Sequence, residues 1–154
     1  MSYWDWAVKA HGRDGVDAAL MDLQDGHGQC VAYLLWAAWA AAEGRPLDRV
    51  ILAQGAALAA HWEAAATGPI RHARRELKTP APPIDDEARL ALREQVRNAE
   101  FAAERLLMET LERIAPTPAA APADLGNALV AATACWSRAA PSEPLLELAA
   151  KLGP

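Results

Sequence analysis

Apolar positions recur every three to four residues along most of this chain, and one stretch departs from that period by being apolar throughout. Residues 30 to 42, Cys-Val-Ala-Tyr-Leu-Leu-Trp-Ala-Ala-Trp-Ala-Ala-Ala, have no polar face and carry two of the six tryptophans. A helix that is apolar all round is enclosed by other helices. Its length is well short of the roughly 20 residues needed to cross a bilayer, and Gly28 and Glu43-Gly44 close it off. The pattern therefore predicts a central buried helix with companions packed around it.

Those companions can be read on both sides. Ser2 with Asp5 opens a short helix to about Lys9 that places Trp4 and Val8 together. Asp14 is a candidate N-cap for a second helix bearing Val16, Leu20 and Leu23, which the turn Asp25-Gly26-His27-Gly28 ends. After the central helix, Gly44 suits a C-cap and Pro46 the first residue of a helix reaching about Ala66, with Leu47, Val50, Ile51, Leu58 and Trp62 on its apolar face. Gly68-Pro69 breaks or kinks that helix. Beyond it Ile70, Ala73 and Leu77 share one side and Arg71, Arg74, Arg75 and Lys78 the other.

Three prolines within residues 80 to 83 make a stiff connector. The longest helix follows, from the acidic Asp85-Asp86-Glu87 to about Ala115, with a stripe of Leu92, Val96, Ala99, Ala103, Leu107, Thr110 and Ile114. The Pro- and Ala-rich segment 116 to 122 precedes two last helices, the first capped by Asp124 and the second started by Ser142. The expected fold is all-α, a bundle of six or seven helices around the Trp-rich one. Residues 1–115 form its body, and residues 116–154 supply a connector and C-terminal helices packed on it within one structural domain.

Composition narrows the picture. At 154 residues the chain can bury around two thirds of its unfolded surface without staples. Cys30 and Cys135 fall in apolar helical patterns, which predicts free thiols in a reducing, cytoplasmic setting. No secretory signal or membrane span is read. The net charge of −5 makes nucleic acid the weaker class of partner.

Candidate chemistry is sparse. His11, His27, His61 and His72 include no pair at the spacing of three or four that puts two ligands on one helical face, so no metal and no cofactor are expected. No serine sits on a strand-turn-helix elbow, and the Gly-rich pieces at 12–15 and 26–28 lack a phosphate-loop lysine and a preceding strand. Asp25 and His27 are read as building a turn. Arg89, Arg93 and Arg97 with Glu100 and Glu104 are read as ion pairing within the bundle; Glu100 and Glu104 lack the Glu-x-x-His companions of a helical metal site.

Trp4-Asp5-Trp6, Leu23-Gln24-Asp25-Gly26-His27-Gly28, Leu34-Leu35-Trp36-Ala37-Ala38-Trp39 and Glu43-Gly44-Arg45, followed by the Arg-rich segment Ile70 to Lys78, resemble an uncharacterised family of short all-helical bacterial proteins, a domain of unknown function. The likeness covers roughly residues 2 to 115. Where that pattern carries an acidic residue and an Asn flanking the valine, this chain has Cys30 and Ala32, so no polar role is expected there. The resemblance implies a helical cytosolic protein and assigns no activity.

Two surfaces remain as functional expectations. The first is a non-enzymatic interaction or adaptor surface for a protein partner or a second copy, made by Arg71, Arg74, Arg75 and Lys78 with Trp4 or Trp6, one of which should be exposed. The second is a small-molecule or enzymatic pocket between helices, lined by Trp36, Trp39 and Trp62 with Asp25, His27 and His61. Nucleic-acid binding through the basic helix is the third and weakest.

Overall fold

The computed structural model describes residues 1–153, and all regular structure among them is helical. The helices are α1 (Tyr3–His11), α2 (Val16–Met21), α3 (Val31–Ala42), α4 (Arg49–Trp62), α5 (Gly68–Glu76), α6 (Asp86–Ile114), α7 (Leu125–Cys135) and α8 (Ser142–Leu152). Asp22–Gly26 extends α2 as a π turn, and a second π turn, Glu63–Thr67, joins α4 to α5. Because α4 and α5 are continuous through the second π turn, the described residues trace seven helical rods.

Helix α3 lies in the middle, packed by α1, α4, α6 and α7. Tyr33 to Ala41 are all buried, and Trp36 and Trp39 are shut off from solvent completely. The aromatic rings fit against each other. Tyr33 lies between Trp36 and Trp136, at centroid distances of 5.9 and 5.5 Å, and Tyr3 leans on Trp39 at 5.5 Å. The Tyr33 hydroxyl donates to the carbonyls of Leu52 (2.9 Å) and Ala132 (3.2 Å), tying α4 and α7 to α3. Trp39 donates to Met1 O, Trp62 to Ala103 O and Trp136 to Gly28 O, whereas the Trp36 indole N–H has no partner.

Residues beyond 115 join the same core. Ala119 and Ala120 donate to the Gly44 carbonyl, Ala123 donates to Ala41, and Arg45 donates to Pro116. The Pro/Ala segment is thereby strapped across the C-terminal end of α3. Leu129 and Ala132 of α7 and Leu145, Leu148 and Leu152 of α8 are buried against the central helix and its neighbours.

Several local expectations are corrected. Gly15, with a positive φ, precedes α2 in place of Asp14. Asp48 caps α4 by accepting from Ile51 N, so Pro46 stays in the preceding loop and the buried face becomes Leu52, Gly55, Ala56 and Ala59, with Val50 exposed. On α1 the buried side is Tyr3, Ala7 and Ala10, which leaves Val8 in solvent. The buried positions of α6 are Arg89, Glu100, Ala103, Leu107, Met108 and Leu111. The stripe read from sequence was therefore in phase only at Ala103 and Leu107; Leu92 and Ile114 are exposed. The N-terminal half of α6 packs on α5 through charged side chains, so apolar spacing does not report its orientation.

Candidate functional site

The two π turns border one cleft. A π turn gathers an extra residue into a helix and is frequent at functional sites. Here the Gly68 N–H reaches five residues back to the Glu63 carbonyl. Pro69 has no N–H and its ring crowds the preceding turn, so the wider turn absorbs a proline that would otherwise break the rod. A Cβ on Gly68 would stand 2.6 Å from the Glu63 carbonyl oxygen, which makes glycine the residue this turn accommodates. Gly68-Pro69 thus passes through a helix without ending it.

This local geometry delivers Glu63, Thr67, Arg71 and Arg74 to a shared wall with Glu100 and Glu104 of α6. Arg71 is the hub: Nη1 donates to Glu63 Oε1 (2.7 Å), Nε to Glu100 Oε1 (3.2 Å) and Nη2 to Glu104 Oε1 (3.5 Å). Arg74 donates through Nε and Nη2 to the two oxygens of Glu100. The buried Thr67 hydroxyl donates to the other oxygen of Glu63 at 2.6 Å. Burial works to lower the pKa of Arg71, but Glu63, with Glu104 and Glu100, outweighs it and holds the guanidinium charged. The Glu104 pKa is raised from its ordinary value, first through desolvation; Arg71 pulls it down, and Glu100 and Glu63 push it up.

The cleft has a volume of about 910 Å³. Its lining combines that charged cluster with the apolar side chains of Leu20, Val31, Leu35, Leu107 and Met108, and includes Gln29, Cys30 and Trp136. Burial pushes the Cys30 thiol up to about 11, so at neutral pH it is not a thiolate nucleophile. At the rim His11 Nδ1 meets Asp17 at 2.6 Å, and Arg75 meets Asp25 at 3.7 Å. Among the described residues no group of three or more His, Cys, Asp or Glu is disposed to hold a metal.

The residues singled out from sequence are distributed unevenly. Arg71 and Arg74 are half-buried in the ion network, Arg75 lines the cleft rim, and Lys78 is exposed beyond the end of α5. Trp4 and Trp6 are both half-buried, Trp4 because Phe101 meets it edge-on at 5.2 Å and Arg105 covers it at 4.9 Å. Among the six residues read as pocket-lining, Asp25 lines the cleft. Trp36 and Trp39 fill the core, Trp62 is half-buried against α6, His27 stands 3.7 Å from Asp22, and His61 points to solvent. Glu63, Thr67 and Gln29 escaped notice. The spacing of eight between Glu63 and Arg71 meets across a π turn, which α-helical periodicity does not anticipate.

Among the described residues no helix is long and apolar enough to cross a membrane. Comparison with curated proteins and with solved structures finds no match. A family model described as "Protein of unknown function (DUF2390)" matches residues 2–111, a span that holds every residue of the cleft except Trp136. By that match over most of its length, the chain belongs to the DUF2390 family.

Proposed function

We propose that this protein binds a small molecule in the cleft between α2, α3, α5 and α6. The carrying observation is the cleft's make-up: about 910 Å³ of space lined by apolar side chains and by a partly buried Arg–Glu network. Ligand pockets commonly span about 300–1,000 Å³ and combine mostly apolar lining with a few fixed polar groups. Five ionised side chains held at one wall carry a desolvation penalty that simple helix packing avoids with apolar residues. Binding gives such an arrangement a purpose. Docking of a protein partner through residues 71 to 78 has less to rest on, since Arg71 and Arg74 are engaged inside and Arg75 and Lys78 are the solvent-facing remainder.

The test is a thermal-shift screen of soluble metabolites against the parent protein and Val31→Trp, which places a large ring on the cleft wall from a half-buried position at the start of α3. A ligand at a hundred times its Kd should raise the parent Tm by roughly 5 to 10 °C and leave the variant unmoved. Absence of any stabilising compound, or equal stabilisation of both proteins, would reject this reading.

A further inference from the structure

We infer that the ligand of this cleft is a cation, a primary or substituted ammonium carried on an apolar body. The inference rests on the binding reading above and follows from which groups the fold leaves wanting a partner. In the inner network three carboxylates, Glu63, Glu100 and Glu104, stand against two guanidiniums, Arg71 and Arg74. The rim does not correct the imbalance. Arg75 is turned to Asp25, and Arg97 donates to Glu94 at 2.9 Å, so each rim guanidinium already has its own carboxylate.

The surplus resides on Glu104. Both oxygens of Glu63 and both of Glu100 take donors, whereas Glu104 holds a single contact, at 3.5 Å the longest in the network. The direction of its pKa agrees, because burial and its carboxylate neighbours disfavour the charge that a bound cation would compensate.

A second acceptor in the cleft lining is unmatched for a separate reason. Gln29 is 3% exposed, and its Nε2 donates to the carbonyls of His27 (3.1 Å) and Arg138 (2.6 Å). Two carbonyls on one side fix the amide orientation, since only the NH₂ end can face them. The Gln29 Oε1 is then a buried acceptor with no donor. The buried Gln29 oxygen and the second Glu104 oxygen, which is left to water on a 43% exposed side chain, are both acceptors. An ammonium offers only donors and a positive charge, whereas an anion would add acceptors to a wall already in excess of them. The apolar lining, Leu20, Val31, Leu35, Leu107 and Met108, suits a hydrocarbon body on that ammonium.

Three compounds of one shape separate charge from apolar fit: 3-phenylpropylammonium, 3-phenylpropanol and 3-phenylpropanoate, titrated calorimetrically at pH 7.5 into the parent, Val31→Trp and Glu104→Gln, with circular dichroism confirming each fold. The ammonium should bind the parent, fail with Val31→Trp, and bind Glu104→Gln about ten- to a hundredfold more weakly, the scale of one charge-assisted hydrogen bond. The alcohol should be weaker than the ammonium and the carboxylate silent. Equal or tighter binding of the carboxylate or alcohol, or an ammonium affinity untouched by Glu104→Gln, would overturn the cationic assignment. If that binding is still abolished by Val31→Trp, the cleft remains a ligand site of another class. No binding of the ammonium to the parent also overturns the assignment, and the metabolite screen then decides the cleft separately.

Discussion

The interior around α3 and the cleft beside α5 are built from the same Ala-rich helices by opposite means. Around α3 the chain excludes water with large rings, and its polar atoms mostly find backbone partners, as Tyr33, Trp39 and Trp136 do. In the cleft it keeps charge together, holding three carboxylates and two guanidiniums at one wall. The difference separates two reasons for an unusual composition. The surplus of tryptophan is structural, because α3 needs wide side chains to fill the space left by small alanines. The Glu and Arg residues between 63 and 104 concentrate charge at one wall, the feature on which the proposed ligand site rests.

That contrast can be broken most severely at the centre. Trp39→Ala removes a fully buried ring and the hydrogen bond to Met1 O, and should destabilise the fold by about 3–5 kcal/mol in urea titration. If the loss is below about 1 kcal/mol, the ring is not part of a packed core. Arg71→Ala takes a donor from three carboxylates that are only partly shielded from water and leaves Glu104 without its one contact, while Arg74 still holds Glu100 and Thr67 still holds Glu63. The expected loss is about 2 kcal/mol, below the figure for a fully buried pair because solvent screens part of it. Adding Glu104→Gln to Arg71→Ala should recover some of this, and strict additivity in the double-mutant cycle would show that the two side chains do not communicate.

The smallest effect is the most discriminating. Glu104 shares the cleft wall with Arg71 and Glu63 and with Glu100 on its own helix, and Tyr3 is within electrostatic reach. Its folded-state pKa is raised, so the native protein takes up this proton before the unfolded chain does. Stability is then lost as pH rises from the ordinary carboxylate range through the raised value. Glu104→Gln should raise Tm slightly at neutral pH, and the gain should vanish in acid where the parent glutamate is protonated. A gain that persisted unchanged at low pH would locate its cause outside this carboxylate.

Legibility in the sequence followed the same division. The unbroken run from 31 to 42 announces its own burial, and the caps at Ser2 and Asp124 and the acidic start of α6 at Asp85 were readable because each signal lies within a few residues of its effect. The basic residues of 71 to 75 were visible as a face, but the α6 partners of Arg71 and Arg74 are 26 to 33 positions away, and no local pattern specifies which side of α6 turns toward them. The family likeness was legible from the Trp-bearing segments and is matched over residues 2–111. The cleft itself was illegible, since its lining is drawn from α2, α3, α5 and α6 together, a property of tertiary arrangement.

The turn at Glu63–Thr67 also sets the angular phase of everything that follows it. One residue in an α-helix corresponds to about 100° of rotation. The surplus residue therefore works as a gear between two halves of one rod: α4 presents Leu52, Ala56 and Ala59 to the core, and α5 presents Arg71 and Arg74 to α6. A homologue shorter by one position there would keep every arginine yet aim them elsewhere, so the length of this segment is as much a part of the charged wall as the side chains it carries.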